Sequence, residues 1–188
     1  LVRVPSALPQ DILQVLDAGA VGIVVPHVMG GDAAAVIAKA SRFGPGGRGY
    51  AGSTRWAGYT TRSMPELLEQ SKTETIVIAQ IEDIEGVDNA DAIAATKGID
   101  GIFLGPADLS VAYGHDHQTS EDLMRAIERV GMAAKAHCKT YMTFTPNVAK
   151  SADWYERFGF TMFFVASEHS WMLQGAKSVA EGVHAIKA

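Results

Sequence analysis

Short apolar runs alternate along this chain with longer segments in which apolar residues recur every three or four positions. The runs Leu1–Val4, Gly22–Val28, Thr75–Glu82, Gly101–Gly105, Thr140–Phe144 and Phe160–Ala166 predict strands. They are apolar at successive positions, as strands of a parallel sheet covered on both faces are. The segments Gln10–Asp17, Asp32–Ser41, Asp88–Thr96, Ser120–His137, Val148–Phe158 and Ser170–Ile186 predict helices. Punctuation agrees: Asp17-Ala18-Gly19 and Arg157-Phe158-Gly159 end on glycine, and Thr119-Ser120-Glu121 offers a cap followed by an acid. Arg42–Arg62 is the one long irregular stretch, a length that predicts a functional or interface role.

Six strand–helix units leave two α/β architectures, an open doubly wound sheet or a (β/α)8 TIM-type barrel. No G-x-G-x-x-G follows the first strand, which weakens a dinucleotide-binding sheet. At about 31 residues per unit, eight units would need about 250, the usual barrel size. The barrel is the expected fold. The chain starts inside an apolar run without an initiator Met, so a longer natural protein is expected, with residues 1–188 forming part of a single barrel domain.

Composition narrows the function classes. At 188 residues, 47% hydrophobic and 20% charged, the chain is ordinary globular protein rather than disordered or fibrous. Sixteen bases against 21 acids, a net charge of -5, leave no general nucleic-acid footprint. No apolar run approaches the roughly 18 residues of a membrane span. A single cysteine, Cys138, cannot form an internal disulfide and fits a reducing, cytoplasmic setting.

In either architecture the site lies where strands end. Those ends carry Arg3-Val4-Pro5, Pro26-His27, Gln80-Ile81-Glu82-Asp83 and Gly105-Pro106-Ala107-Asp108. Glu82 and Asp108 close successive strands, and two neighbouring carboxylates bind a hard divalent cation or share a proton. The alternative is that one of them caps a helix. The Gly105–Asp108 turn exposes backbone N–H groups suited to a carboxylate, or is an ordinary strand-to-helix turn. The planar fork of Arg3 suits a 2-oxo acid, or forms an ion pair in the barrel mouth. His27 is a weaker candidate, and Asp83 is expected to face solvent or the following helix.

Absences matter as well. No lysine falls inside a strand candidate, which disfavours a Schiff-base aldolase. The loops after the last two strands lack the glycines of a barrel phosphate site. Cys138 precedes a strand, on the far face. His115 and His117 fit a solvated loop better than a metal pair. The stripe Met172, Ala176, Val179, Val183 and Ile186 predicts a last helix packed on the barrel, or against a partner subunit.

The motifs Arg3-Val4-Pro5, Gly44-Pro45-Gly46-Gly47-Arg48-Gly49, Gln80-Ile81-Glu82 with Gly86-Val87-Asp88-Asn89, and Gly98 through Ser110 resemble, in order, the HpcH/HpaI aldolase family of metal-dependent class II pyruvate aldolases. The resemblance implies a (β/α)8 barrel of which this chain covers strands 3–8. It implies Mg2+ or Mn2+, with Co2+ or Zn2+ as further options, held by Glu82 and Asp108. Such an ion would chelate pyruvate and act as the Lewis acid that stabilises its enolate. Arg3 matches the catalytic arginine that contacts the 2-oxo group. Gln80, Gly105, Pro106, Ala107 and Asp108 match substrate-binding positions, with the Ala107 and Asp108 N–H groups on the carboxylate.

The reaction so implied is reversible retro-aldol cleavage of a 4-hydroxy-2-oxo acid to pyruvate and an aldehyde. The aldehyde would meet loop residues such as Trp56 and Tyr59. The family's catalytic histidine follows the second barrel strand and has no counterpart here. Homo-oligomers, as hexamers or helix-swapped dimers, are also implied. Two alternatives stay open: a CoA-ester lyase of the citrate lyase β type, or a non-catalytic barrel that binds metal and oxo acid.

Overall fold

The structure is a computed structural model and describes residues 1–186. All six expected strands form: β1 (Val2–Arg3), β2 (Gly22–Val25), β3 (Ile76–Ile81), β4 (Gly101–Leu104), β5 (Thr140–Thr145) and β6 (Met162–Val165). They lie side by side in chain order, and every adjacent pair is parallel. A doubly wound sheet reverses its order at a switch point, whereas a barrel wall proceeds strand by strand. The sheet is therefore a half-barrel of six strands.

Nine helices connect them among the described residues: α1 (Pro9–Asp17), α2 (Gly31–Ala40), α3 (Met64–Glu74), α4 (Ile84–Asp88), α5 (Ala90–Ala95), α6 (Pro106–Ala112), α7 (Glu121–Ala136), α8 (Val148–Phe158) and α9 (Glu168–His184). Three of them depart from the sequence pattern. The α3 helix has no counterpart among the expected helices: it buries only Leu67 and Ser71, and a Ser63–Glu66 capping box starts it. A separate short helix, α4, that the pattern did not predict ends at Asp88, and the helix expected over Asp88–Thr96 forms as α5 after the break at Asn89. The Gly105–Asp108 turn runs on into the seven-residue α6.

Alternation along each strand separates two faces. Ile23, Val25, Val77, Ala79, Ile81, Ile102, Leu104 and Tyr141 belong to the main core, together with Ile12, Leu16, Ile37, Ile93, Ile127, Val130 and Trp154 of the helices. The opposite, inner face carries a small cluster of its own: Val24, Ile78, Phe103 and Met142. The register puts Arg3 beside Val24 and Val24 beside Ile78, so Arg3 shares this inner face.

Two further expectations meet the structure here. The Arg42–Arg62 segment is pinned by Arg48, whose buried guanidinium pairs with Asp17 and lies 4.8 Å from each of the Phe43 and Trp56 rings. Trp56 thereby sits with Gly19, Val21 and Thr75, which precede β2 and β3. That is the end opposite the strand termini that carry the carboxylates, so Trp56 is removed from the expected aldehyde contacts. Tyr59, in the same segment, is 65% exposed. The last helix is also corrected. No residue of α9 is buried, and Trp171, Met172, Leu173, Val179 and Val183 are all exposed, so its stripe does not pack on the half-barrel.

Candidate active site

The inner-face alternation continues past the end of β3, turning Gln80 and Glu82 inward while Ile81 enters the helix-covered core. Glu82 is 2% exposed. Its Oε1 accepts the backbone N–H of His27 at 3.1 Å, and its Oε2 accepts from the Gln80 side-chain amide. Gly105, at the end of β4, lies directly against it. A Cβ at Gly105 would sit 2.9 Å from Glu82 Cβ and 3.1 Å from its Oε2. Only glycine lets the next strand end come this close, and Pro106 then opens α6 with Asp108 in its first turn.

Charge follows from this placement. Burial pushes the Glu82 carboxyl above its usual range. The His27 N–H and the His27 charge pull it back, Asp108 raises it again and Arg3 lowers it. Asp108 and Arg3 thus act on one buried carboxylate, although each is exposed. Among the described residues neither makes a side-chain hydrogen bond or an ion pair. The Ala107 and Asp108 N–H groups precede the first bond of α6, from Leu109 N–H to the Gly105 carbonyl, and so have no partner within the helix.

The sequence placed Asp83 toward solvent or the following helix, and it stands partly exposed at the N-cap of α4, with a contact that the sequence did not signal. Its carboxylate meets His27 Nδ1 at 2.9 Å, while His27 Nε2 stands 3.5 Å from Glu82 Oε1. The bond to Asp83 is the main cause that raises the His27 pKa, with burial opposing it and Glu82, Asp83 and Asp108 adding to it. The Pro26-His27 strand end signalled this residue, but its tie to β3 spans 55 positions and leaves no local pattern.

The donor set can be tested against a metal ion. Gln80 Oε1 is buried without a hydrogen-bond partner, next to the buried Glu82 and the facing Asp108. This cluster of oxygen acceptors, with Arg3 and His27 beside it, suits a hard divalent ion. Among the described residues no group of three or more His, Cys, Asp or Glu is placed to hold a metal. Two carboxylates with remaining positions left to water and substrate oxygens are the usual donor set of Mg2+, and a closed zinc site is not.

Other candidates separate from this site. His115 pairs with Asp122 and His117 bonds Thr119, which makes them a loop feature. Cys138 is exposed in the turn before β5. No described lysine lies on a strand, and Lys187 falls outside the described residues. A cleft of about 680 Å3, lined by Lys39, Arg42, Lys72 and Lys97, opens at the beginnings of β3 and β4, at the opposite end.

The signature of the HpcH/HpaI aldolase/citrate lyase family matches residues 1–174. The chain belongs to this family. A 5-keto-4-deoxy-D-glucarate aldolase of Salmonella arizonae is 37% identical over 96% of this chain and 70% of its own length. That of Enterobacter sp. is 38% identical over 89% of the chain and 65% of its own length. The chain thus spans about two thirds of the aldolases it matches. The crystal structure of an HpcH/HpaI aldolase/citrate lyase family protein from Burkholderia cenocepacia superposes with a TM-score of 0.89 at 31% identity, over 98% of this chain and 73% of that one. These relatives carry the names of carbon–carbon lyases, and the half-barrel corresponds to most of such a protein.

Proposed function

We propose that the chain acts as a metal-dependent pyruvate aldolase, cleaving a 4-hydroxy-2-oxo acid of the keto-deoxy sugar-acid type to pyruvate and an aldehyde. The observation that carries this reading is the buried Glu82 beside the unpartnered Gln80 Oε1, with Asp108 acting on the same carboxylate and itself without a side-chain hydrogen bond or ion pair among the described residues. Glu82 and Asp108 would hold the divalent ion, Mg2+ or Mn2+. When bound, that ion supplies Lewis-acid stabilisation of negative charge on the 2-oxo oxygen.

The chain's own residues bind and orient the substrate. The free N–H groups of Ala107 and Asp108 orient the substrate carboxylate at the start of α6. Arg3, on the inner face of β1 and without a partner, brings its guanidinium to the 2-oxo oxygen, where charge develops as the C3–C4 bond breaks. Gln80 holds Glu82 through its amide and offers Oε1 to a donor on the ion's water or the substrate. The absence of a strand lysine supports the metal route over a Schiff base.

The exposed apolar residues of α9 support a homo-oligomer, and the net charge of -5 supports small-molecule rather than nucleic-acid partners. No helix of the described residues is long and apolar enough to cross a membrane, and the lone free Cys138 is in keeping with the cytoplasm.

Pyruvate release from a 4-hydroxy-2-oxo acid, followed by coupled reduction to lactate, tests this function. The expected result is release that EDTA abolishes and Mg2+ or Mn2+ restores. Release that survives EDTA, or a lysine adduct trapped by borohydride, contradicts it.

A further inference from the structure

Five residues other than glycine have positive φ among the described residues: His27, Tyr59, Thr60, Cys138 and Ala166. Four of them send their backbone N–H to a main-chain carbonyl, as turns do: Tyr59 to Thr54, Thr60 to Gly52, Cys138 to Lys135 and Ala166 to Thr145. His27, at φ 53, is different. Its N–H leaves the backbone network and binds the Glu82 carboxylate. The next residue, Val28, returns to the β3 backbone through its bond to the Gln80 carbonyl. The chain therefore twists for one residue at the end of β2, and that residue points a donor at Glu82 Oε1.

The left-handed conformation is unfavourable for a side chain with a Cβ, so something must hold it. The imidazole supplies the hold. Its Nδ1 is bound to Asp83, the residue after Glu82, at 2.9 Å, although the side chain is 59% exposed. His27 thus grips the chain just past β3 twice, through its N–H on Glu82 and its ring on Asp83. With Oε1 engaged by His27, Oε2 accepts the Gln80 amide N–H beside Gly105 and keeps its second lone pair for a cation.

We infer that His27, clamped by Asp83, is a positioning residue for Glu82: its left-handed backbone fixes the carboxylate so that Oε2 faces the divalent ion. This rests on the metal assignment made above. Residues that orient metal ligands typically change metal affinity by about 10–100-fold when replaced.

The test is Mn2+ binding to the full chain, read from the electron paramagnetic resonance of free and bound Mn2+ without substrate. His27→Val, whose β-branch opposes positive φ, is expected to weaken binding by about 10–100-fold. His27→Asn accepts the left-handed backbone and can still reach Asp83, so it is expected to restore affinity to within about threefold of wild type. Asp83→Ala leaves residue 27 untouched and tests the clamp if the valine variant does not fold; it too is expected to weaken binding. Unchanged affinity in both His27→Val and Asp83→Ala, or an asparagine variant as weak as the valine one, overturns the inference. Glu82→Gln separates the two layers of the argument. Loss of Mn2+ there with no effect of the other variants overturns the role of His27 alone, whereas Mn2+ bound unchanged to Glu82→Gln overturns the metal assignment as well.

Discussion

At the scale of single residues, the site is held together by an unfavourable group. Burial raises the Glu82 carboxyl, and the His27 N–H compensates only in part. A carboxyl whose folded pKa is raised favours the folded state below its unfolded pKa, and that contribution is lost as pH rises through the folded value. Glu82→Gln keeps the shape without the charge. In EDTA it is expected to melt above wild type at pH 8, with the difference vanishing at pH 4, while binding no Mg2+ or Mn2+. A Tm equal to wild type at both pH values would contradict the burial cost. The two carboxylates were legible in the sequence because each ends a strand, and strand ends are where a parallel fold gathers its chemistry. The Asp83–His27 bond was not, because a contact across 56 positions follows from register rather than from any local pattern.

Among the elements, the strands were the most legible. The apolar runs of β2, β3 and β4 are buried on both faces, save the first residue of β3, whereas β1 and β6 are exposed or half-buried. Burial alone did not decide which helices were legible: α7 buries six residues and stands out while α3 buries two and does not, yet α1 and α8, burying two and one, were found from their spacing and their glycine ends. The α9 helix misled in the opposite sense, since its stripe is real but faces solvent. Period alone tells that a face is apolar and does not tell what covers it. Val179→Asp with Val183→Asp is therefore expected to leave the helical circular dichroism of the chain intact and reduce its native mass to that of a 20.0 kDa monomer. Trp154→Ala is the contrasting change. Its indole stacks 5.5 Å from Phe160, which stacks 3.9 Å from Tyr141, so its loss should cost about 3–5 kcal/mol in a urea melt. A native mass above the monomer in the double aspartate variant would show that α9 does not carry the association.

For the whole molecule, topology and site support each other. Parallel strands in chain order bring the ends of β3 and β4 side by side, and this adjacency, with a glycine at the contact, sets Glu82 against the start of α6. Arg3 reaches the same face from β1 by register. The membership in the HpcH/HpaI aldolase/citrate lyase family fits this arrangement, and the proposed chemistry needs each of its parts. Its central claim is that Glu82 and Asp108 hold a divalent ion on which pyruvate is enolised. Exchange of the pyruvate methyl protons with D2O, followed by proton NMR, tests that claim without requiring the identity of the aldehyde. The expected result is exchange that stops in EDTA, resumes with Mg2+ or Mn2+, and is absent in Glu82→Gln under all three conditions. Exchange that persists in EDTA or in Glu82→Gln would contradict it.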